Sequence, residues 1–214
     1  MFFKDRKIVK DIIARAGRGD AEAEFELAKR YMIGKGVPCD IVKAVELYED
    51  SAKHGYVKAQ AELGNIYFNG IEDVVADKLV DRDYKKAAFW LEKAVENGAE
   101  VTEDICMQLG EIYKYGEYGG EADINKSAQW FQKPAEQGNI FAQNSLATCY
   151  CVLKDKENAL LWAKKAAEQG SADELFLLGS VYSEFNDNEN ALKYYKEAAA
   201  LGCEEAEKAL EENS

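Results

Sequence analysis

The chain has 214 residues, of which 47% are hydrophobic, and its formal net charge at pH 7 is −13. This hydrophobic content is enough for a buried core, whereas the negative charge opposes binding to nucleic-acid phosphates and to anionic membranes. Apolar runs are too short for a membrane span, and charged residues interrupt the apolar start. We therefore expect no signal peptide, no nucleic-acid partner and no membrane partner.

The residues that usually carry chemistry are sparse. Five cysteines include no CxxC pair, which predicts reduced thiols in a cytoplasmic protein. The single histidine, His54, excludes His-rich zinc sites, and no phosphate-binding glycine motif or nucleophile elbow is present. His54 follows Asp50 by four residues, a spacing that suits a surface pair on one helix face. The sequence predicts no enzyme, no metal and no cofactor.

One pattern recurs five times along the chain, and in each occurrence a tyrosine follows a leucine by four residues and a small residue by three. The five sets are Leu27, Ala28 and Tyr31; Leu63, Gly64 and Tyr67; Leu109, Gly110 and Tyr113; Leu146, Ala147 and Tyr150; and Leu178, Gly179 and Tyr182. An alanine- and lysine-rich run follows each set and closes on Gly55, Gly98, Gly138, Gly170 or Gly202. Recurrence in one register indicates an internal repeat of two helices.

Taken in order, the pattern predicts one domain over residues 1–214. Residues 1–19 form a half repeat, an N-terminal capping helix in which Ile8, Ile12 and Ala16 share one face. The full repeats are predicted at 20–55, 56–98, 99–138, 139–170 and 171–202, and residues 203–214 are predicted as a C-terminal capping helix. The expected fold is an all-α solenoid of about five antiparallel helix pairs with terminal half repeats, about 12 helices in total.

Three local features depart from a regular repeat. Asp40 is placed to cap the second helix of the first repeat. Residues 71–85 form an insertion that we expect to be a solvated loop, because Asp77, Asp81 and Asp83 lack the spacing of a calcium loop. Pro134 falls inside a predicted helix, where it is expected to bend the last turn.

Two sets of repeated positions are predicted to pack. The small residue of each first helix allows the two helices of a repeat to approach closely, and the leucines and tyrosines fill the remaining space. The second helices carry a column of large residues, which we interpret as inter-repeat core in preference to a ligand platform: Leu47, Trp90, Trp130, Trp162 and Tyr194.

The phrase AQAELGNIY at Ala59 to Tyr67, together with the runs KKAAFWLEKAVENG and GKGVPCDIVKA, resembles the Sel-one-like repeat, a relative of the tetratricopeptide repeat. This resemblance covers nearly the whole chain. It implies a right-handed superhelix whose first helices line a concave groove, and an adaptor or scaffold role in protein complexes. Some secreted members with regular cysteine pairs have been called β-lactam-binding or β-lactam-hydrolysing, and this chain lacks those pairs.

The resemblance also implies which residues line the groove. They stand at fixed positions around the small residue of each first helix: Phe25, Lys29, Asn65, Phe68, Glu111, Lys114, Asn144, Thr148, Phe176 and Ser180. We expect the asparagines and Lys114 to hold a peptide backbone or a carboxylate, and Phe68 and Phe176 to accept apolar side chains.

The predicted function is a monomeric, cytoplasmic, non-enzymatic scaffold that binds a partner protein or peptide. A second hypothesis is an inhibitor or immunity-type protein that masks a basic partner, because residues Glu168 to Ser214 contain 12 acidic residues against 3 lysines. The sequence also leaves open a β-lactam-binding hydrolase and a self-associating structural module.

Overall fold

The computed structural model describes residues 2–72, 80–116 and 120–212, and within these residues the chain is all-helical. The helices are α1 (Phe2–Ala16), α2 (Ala21–Ile33), α3 (Ile41–Lys53), α4 (Val57–Asn69), α5 (Tyr84–Glu96), α6 (Glu103–Tyr115), α7 (Ile124–Glu136), α8 (Ile140–Val152), α9 (Lys156–Ala167), α10 (Ala172–Glu184), α11 (Asn188–Ala200) and α12 (Glu204–Glu212). The twelve helices in these described residues confirm the predicted all-α fold class.

The helices fall into two compact units. The first holds α1 to α5 and the start of α6, up to Ile105, and the second holds the rest of α6 and α7 to α12. In the first unit, Gln60 near the start of α4 meets Asn97 after α5, and Tyr67 near the end of α4 meets Lys86 near the start of α5. The paired helices are therefore antiparallel.

Each second helix begins at an aspartate, because its carboxylate accepts a hydrogen bond from the amide three residues later. These capping residues are Asp40, Asp83, Asp123, Asp155 and Asp187. The prediction for Asp40 is confirmed at an oxygen–nitrogen distance of 3.0 Å. The predicted insertion extends too far toward the C-terminus. Asp83 caps α5, and Tyr84 and Lys85 already belong to that helix. Asp77 lies outside the described residues.

Helix pairs approach closely at the repeated small residues. A Cβ atom on Gly64 would lie 2.5 Å from Leu91, and one on Gly110 would lie 2.7 Å from the Phe131 ring. Packing therefore requires glycine at positions 64 and 110, where the pattern predicted a small residue. The glycines that close the repeats serve a different purpose, because Gly55 has a φ of +88° that other residues rarely adopt.

The terminal helix α1 buries a different face from the predicted one. Val9, Ile12 and Ala16 are buried, whereas the side chain of Ile8 is 44% exposed. The prediction was correct for Ile12 and Ala16 and wrong for Ile8, because Val9 is the residue that meets the connection between α2 and α3, where a Cβ on Gly36 would lie 2.9 Å from it.

Two other packing predictions have mixed outcomes. Pro134 is buried inside α7, which continues to Glu136, so the proline does not end the helix and the bend stays a prediction. In the column of large residues, Trp162 is buried, and Tyr194 stacks on Tyr182 with the ring centres 5.5 Å apart. Trp90 and Trp130 are only half-buried. Among the described helices, none has the length and apolar character needed to cross a membrane.

Candidate protein-binding surface

In the first unit, Phe25 of α2 lies among aromatic rings. Its ring centre is 5.5 Å from that of Tyr48 and 5.1 Å from that of Tyr56, and the Lys29 amine lies 5.5 Å from it. The two predicted groove residues Phe25 and Lys29 are thus brought together. Phe25 is half-buried and Lys29 is exposed.

A cleft of about 500 Å³ is lined by Phe25 and Lys29, so two of the predicted surface residues in this unit border a concave feature. Ile8, Ile12 and Tyr56 supply further apolar lining, and charged side chains of both signs stand around them. The sequence interpretation missed Ile8 and Tyr56, because it assigned Ile8 to the core and considered only positions near the small residue of each first helix.

On α4, Phe68 and Asn65 are both half-buried. The ring of Phe68 packs edge-on against that of Tyr84, with the ring centres 5.5 Å apart. It therefore forms a wall of the surface and does not line an open pocket. The side-chain oxygen of Asn65 is buried and has no hydrogen-bond partner in the described residues. A buried carboxamide oxygen without a partner has unfilled hydrogen-bonding capacity.

In the second unit, the predicted residues Asn144 and Thr148 lie on α8 and Ser180 lies on α10, and a side-chain hydrogen bond joins these two helices. The Asn144 amide donates to Glu174 Oε1 at 3.2 Å, while its own oxygen has no partner among the described residues. The hydroxyl groups of Thr148 and Ser180 donate to carbonyl groups one turn earlier in their own helices. These two hydroxyl groups are therefore already engaged, which leaves Asn144 as the stronger polar candidate.

The remaining predicted residues lie on α6 and α10. Phe176 packs against Tyr195 at 5.5 Å and is half-buried. The Lys114 amine lies 5.4 Å from the ring centre of Tyr115. Glu111 is half-buried and has interactions within the protein. Gln108, which the sequence interpretation missed, has a buried side-chain oxygen with no partner in the described part of the chain.

His54 does not form the predicted pair with Asp50. Its Nδ1 atom lies 2.7 Å from Glu24 Oε2, across the interface between α2 and α3, while Asp50 lies near Lys53. The Glu24 side chain is only 6% exposed, so its carboxylate needs a partner more than the exposed Asp50 does. The next repeat has the same contact as an amide pair, with Asn97 donating to Gln60 at 3.0 Å.

Glu49 and Tyr67 form a second polar contact, in which the tyrosine hydroxyl donates to Glu49 Oε1 at 2.5 Å. Burial raises the pKa of Glu49, but hydrogen bonds from Tyr67 and Lys53 outweigh it and hold the pKa below its ordinary value. Burial and the neighbouring carboxylate raise the pKa of Tyr67 well above its usual range. Glu49 is therefore anionic at neutral pH.

No three His, Cys, Asp or Glu residues among those described are grouped to hold a metal ion.

Antiparallel helix pairs recur along the described chain. Each pair has a capping residue, a close-packed glycine or alanine and a surface on its first helix. These features define an α-helical repeat protein. Five segments match the Sel1 repeat, at residues 21–56, 57–98, 106–139, 140–171 and 174–203. The chain belongs to the Sel1 repeat family.

Comparisons with individual proteins agree with this assignment. A 136-residue stretch is 26% identical to chitin synthase regulatory factor 3 of Schizosaccharomyces pombe, covering 63% of this chain and 14% of that protein. A Sel1 repeat protein of Oxalobacter formigenes is 25% identical with a TM-score of 0.51, over 92% of this chain and 79% of its own. YrrB, a TPR protein with an unusual peptide-binding site, shares the fold, with a TM-score of 0.68, 20% identity and coverage of 91% and 93%.

Proposed function

We propose that this chain is a non-enzymatic scaffold that binds a segment of a partner protein on the face of its first helices. The observation that carries the proposal is the cleft beside Phe25 and Lys29. Its apolar lining, surrounded by charged side chains, suits a peptide that buries an apolar side chain and keeps its polar backbone at the rim.

The asparagines on the first helices support the same proposal. Asn65 and Asn144 are half-buried, and each has a side-chain oxygen without a partner in the described residues. On binding, a rotation of each side chain would turn its buried oxygen toward a backbone amide of the bound segment, which would supply the missing donor. Such bonds hold an extended peptide without requiring a particular side chain, so they contribute affinity, while apolar contacts contribute specificity.

The relatives point in the same direction. The S. pombe protein is a regulatory factor by its name, and YrrB is a TPR protein with a peptide-binding site. The matched stretch covers a small part of the S. pombe protein, and YrrB shows the fold alone. They favour a scaffold over a catalyst, and they identify no partner for this chain.

Affinity purification with a matched pair of variants tests the proposal. The first variant carries Lys29→Ala, Asn65→Ala and Asn144→Ala on the first helices. The control carries Lys93→Ala, Lys133→Ala and Asn188→Ala at exposed positions of the second helices. Partners captured by the wild type and identified by mass spectrometry should be lost with the first variant and retained with the control. Equal recovery with both variants would reject the first-helix face as the binding surface.

The salt dependence of the same capture separates the proposed scaffold from an inhibitor of a basic protein. Binding through the acidic stretch from Glu168 to Ser214 would weaken strongly as salt is raised, because exposed charges are screened. Binding through apolar side chains and amide hydrogen bonds should change little.

A further inference from the structure

Two clefts occupy equivalent places, one in each compact unit. In the first unit a cleft of about 350 Å³ lies between α3, the tyrosine Tyr67 of α4 and the start of α5. In the second unit a cleft of about 380 Å³ lies between α7 and the tyrosine Tyr150 of α8. Neither lining includes a predicted groove residue. The clefts are therefore separate from the surface proposed above.

The equivalence extends to individual positions on the second helix. Ala44 and Ser127 are equivalent residues of the two repeats. Val45 and Ala128 each follow them by one residue and are therefore equivalent as well. Further along the same face, the first cleft has the carboxylates of Glu46 and Glu49. The second cleft has the neutral amides of Gln129 and Gln132 at the equivalent positions. Because glutamate and glutamine have nearly the same shape, the main difference between the two clefts at these positions is charge.

The first cleft has an excess of negative charge. Four of its lining residues are acidic and two are basic. The basic side chains are already engaged: Arg82 Nε donates to the carbonyl of Asn69 at 3.0 Å, and Lys86 lies 3.7 Å from Asp83 and over the Tyr67 ring. Glu49 accepts hydrogen bonds from Tyr67 and Lys53.

Glu46 is the carboxylate best placed to receive an outside cation. It is exposed, and Lys43, one turn earlier in α3, attracts it without forming a hydrogen bond or close ion pair with it among the described residues. Beside it, Val42 and Val45 form an apolar wall, with the side chain of Val42 54% exposed. An aliphatic stem that ends in a positive charge matches this combination of apolar wall and carboxylates.

We propose that the first cleft binds an arginine side chain on an exposed segment of a partner protein. The methylene groups would lie against Val42 and Val45, and the guanidinium group would pair with Glu46 and lie beside Glu49, whose two oxygens already accept from Tyr67 and Lys53. A guanidinium group suits two carboxylates because its donors form a planar fork and it is easily stripped of water. The second cleft, with Gln129 and Gln132, has no carboxylate at the equivalent positions and should not select a cation.

The test is an NMR titration of the full chain with acetyl-Ala-Arg-Ala-amide, following the backbone amide signals of residues 42–49 and 125–132. The control peptide carries citrulline, which has the shape of arginine without its charge. The arginine peptide should shift the signals of 42–49 saturably, and the citrulline peptide should not. The variant Glu46→Gln/Glu49→Gln should bind the arginine peptide about five- to tenfold more weakly, as loss of one exposed and one half-buried ion pair implies.

A reciprocal exchange keeps the test independent of folding defects. The variant Gln129→Glu/Gln132→Glu should acquire shifts at 125–132 with the arginine peptide that the wild type lacks. Both exchanges use residues that the other unit already holds at the same positions, and circular dichroism verifies the fold. Equal response to both peptides, an unchanged affinity in Glu46→Gln/Glu49→Gln, or shifts confined to other regions would each overturn the proposal.

Discussion

The carbonyl oxygen of Tyr67 accepts a hydrogen bond from the backbone amide of Asp83 at 2.8 Å, although the two residues flank the longest connection between paired helices. The same tyrosine–aspartate bond closes the other four connections: Tyr31 with Asp40, Tyr113 with Asp123, Tyr150 with Asp155, and Tyr182 with Asp187. The bond length stays between 2.8 and 3.0 Å in all five. The same hydrogen bond therefore holds the two ends of each connection together, whatever the length of the connection.

This relationship predicts that the insertion can be removed. Replacing residues 70–82 by Phe-Asn, the residues that precede Asp187 in the last repeat, should leave the helix pair α4 and α5 intact. A shorter loop loses less chain entropy on folding, so we expect the free energy of unfolding to rise by at most about 1 kcal/mol. Urea unfolding followed by circular dichroism measures it. A loss of several kcal/mol would show that the insertion itself holds the pair together.

Gly110→Ala should destabilise the second unit, because the added Cβ would lie 2.7 Å from the buried Phe131 ring. Overpacking of this kind costs about 1–3 kcal/mol. In the double variant Gly110→Ala/Phe131→Ala the two losses should not add, because the clash requires the ring; the fourth repeat has alanine at both equivalent positions, Ala147 and Ala163. Strictly additive effects in urea unfolding would contradict a direct contact between positions 110 and 131.

The contact between Glu24 and His54 predicts an exchange with its counterpart in the next repeat. His54→Ala should lower the free energy of unfolding by about 1–3 kcal/mol, because it removes the partner of a buried carboxylate. Glu24→Gln/His54→Asn recreates the pairing of Gln60 with Asn97 and should restore most of the stability. A double variant as unstable as His54→Ala would show that the amide pair does not fit between α2 and α3.

Stability should decline in alkali because of Tyr48 and Tyr67. Burial is the largest cause that raises the pKa of both phenols, so the folded protein keeps these protons above pH 10.0, where the unfolded chain releases them. The unfolded state then binds fewer protons, and the free energy of unfolding falls as the pH rises above that value.

Tyr48→Phe provides the control, since Phe131 already stands at the equivalent position of α7. The variant should show a shallower decline between pH 9 and 11 in urea unfolding series. An identical slope in wild type and variant would exclude Tyr48 as a source of the alkaline sensitivity.

The prediction from sequence was best where a residue's role depends on neighbours in its own repeat. The register of Leu63, Gly64 and Tyr67 predicted helix pairing and close approach, because helical periodicity converts spacing into a face. The cap at Asp40 was equally local. The predicted groove residues are half-buried or exposed on the first helices, yet their contacts were not predictable, since Phe25 meets Tyr48 of α3 and Tyr56, which precedes α4.

The sequence by itself therefore determined the repeat, the number of helices and the positions that must stay small. Only the tertiary structure decided that His54 pairs with Glu24 and not with Asp50, that α1 buries Val9 and exposes Ile8, and that clefts form beside Phe25 and Glu46. The physical reason is distance along the chain. Helix formation and capping depend on residues three or four apart, whereas burial and polar pairing depend on which helices come to lie side by side.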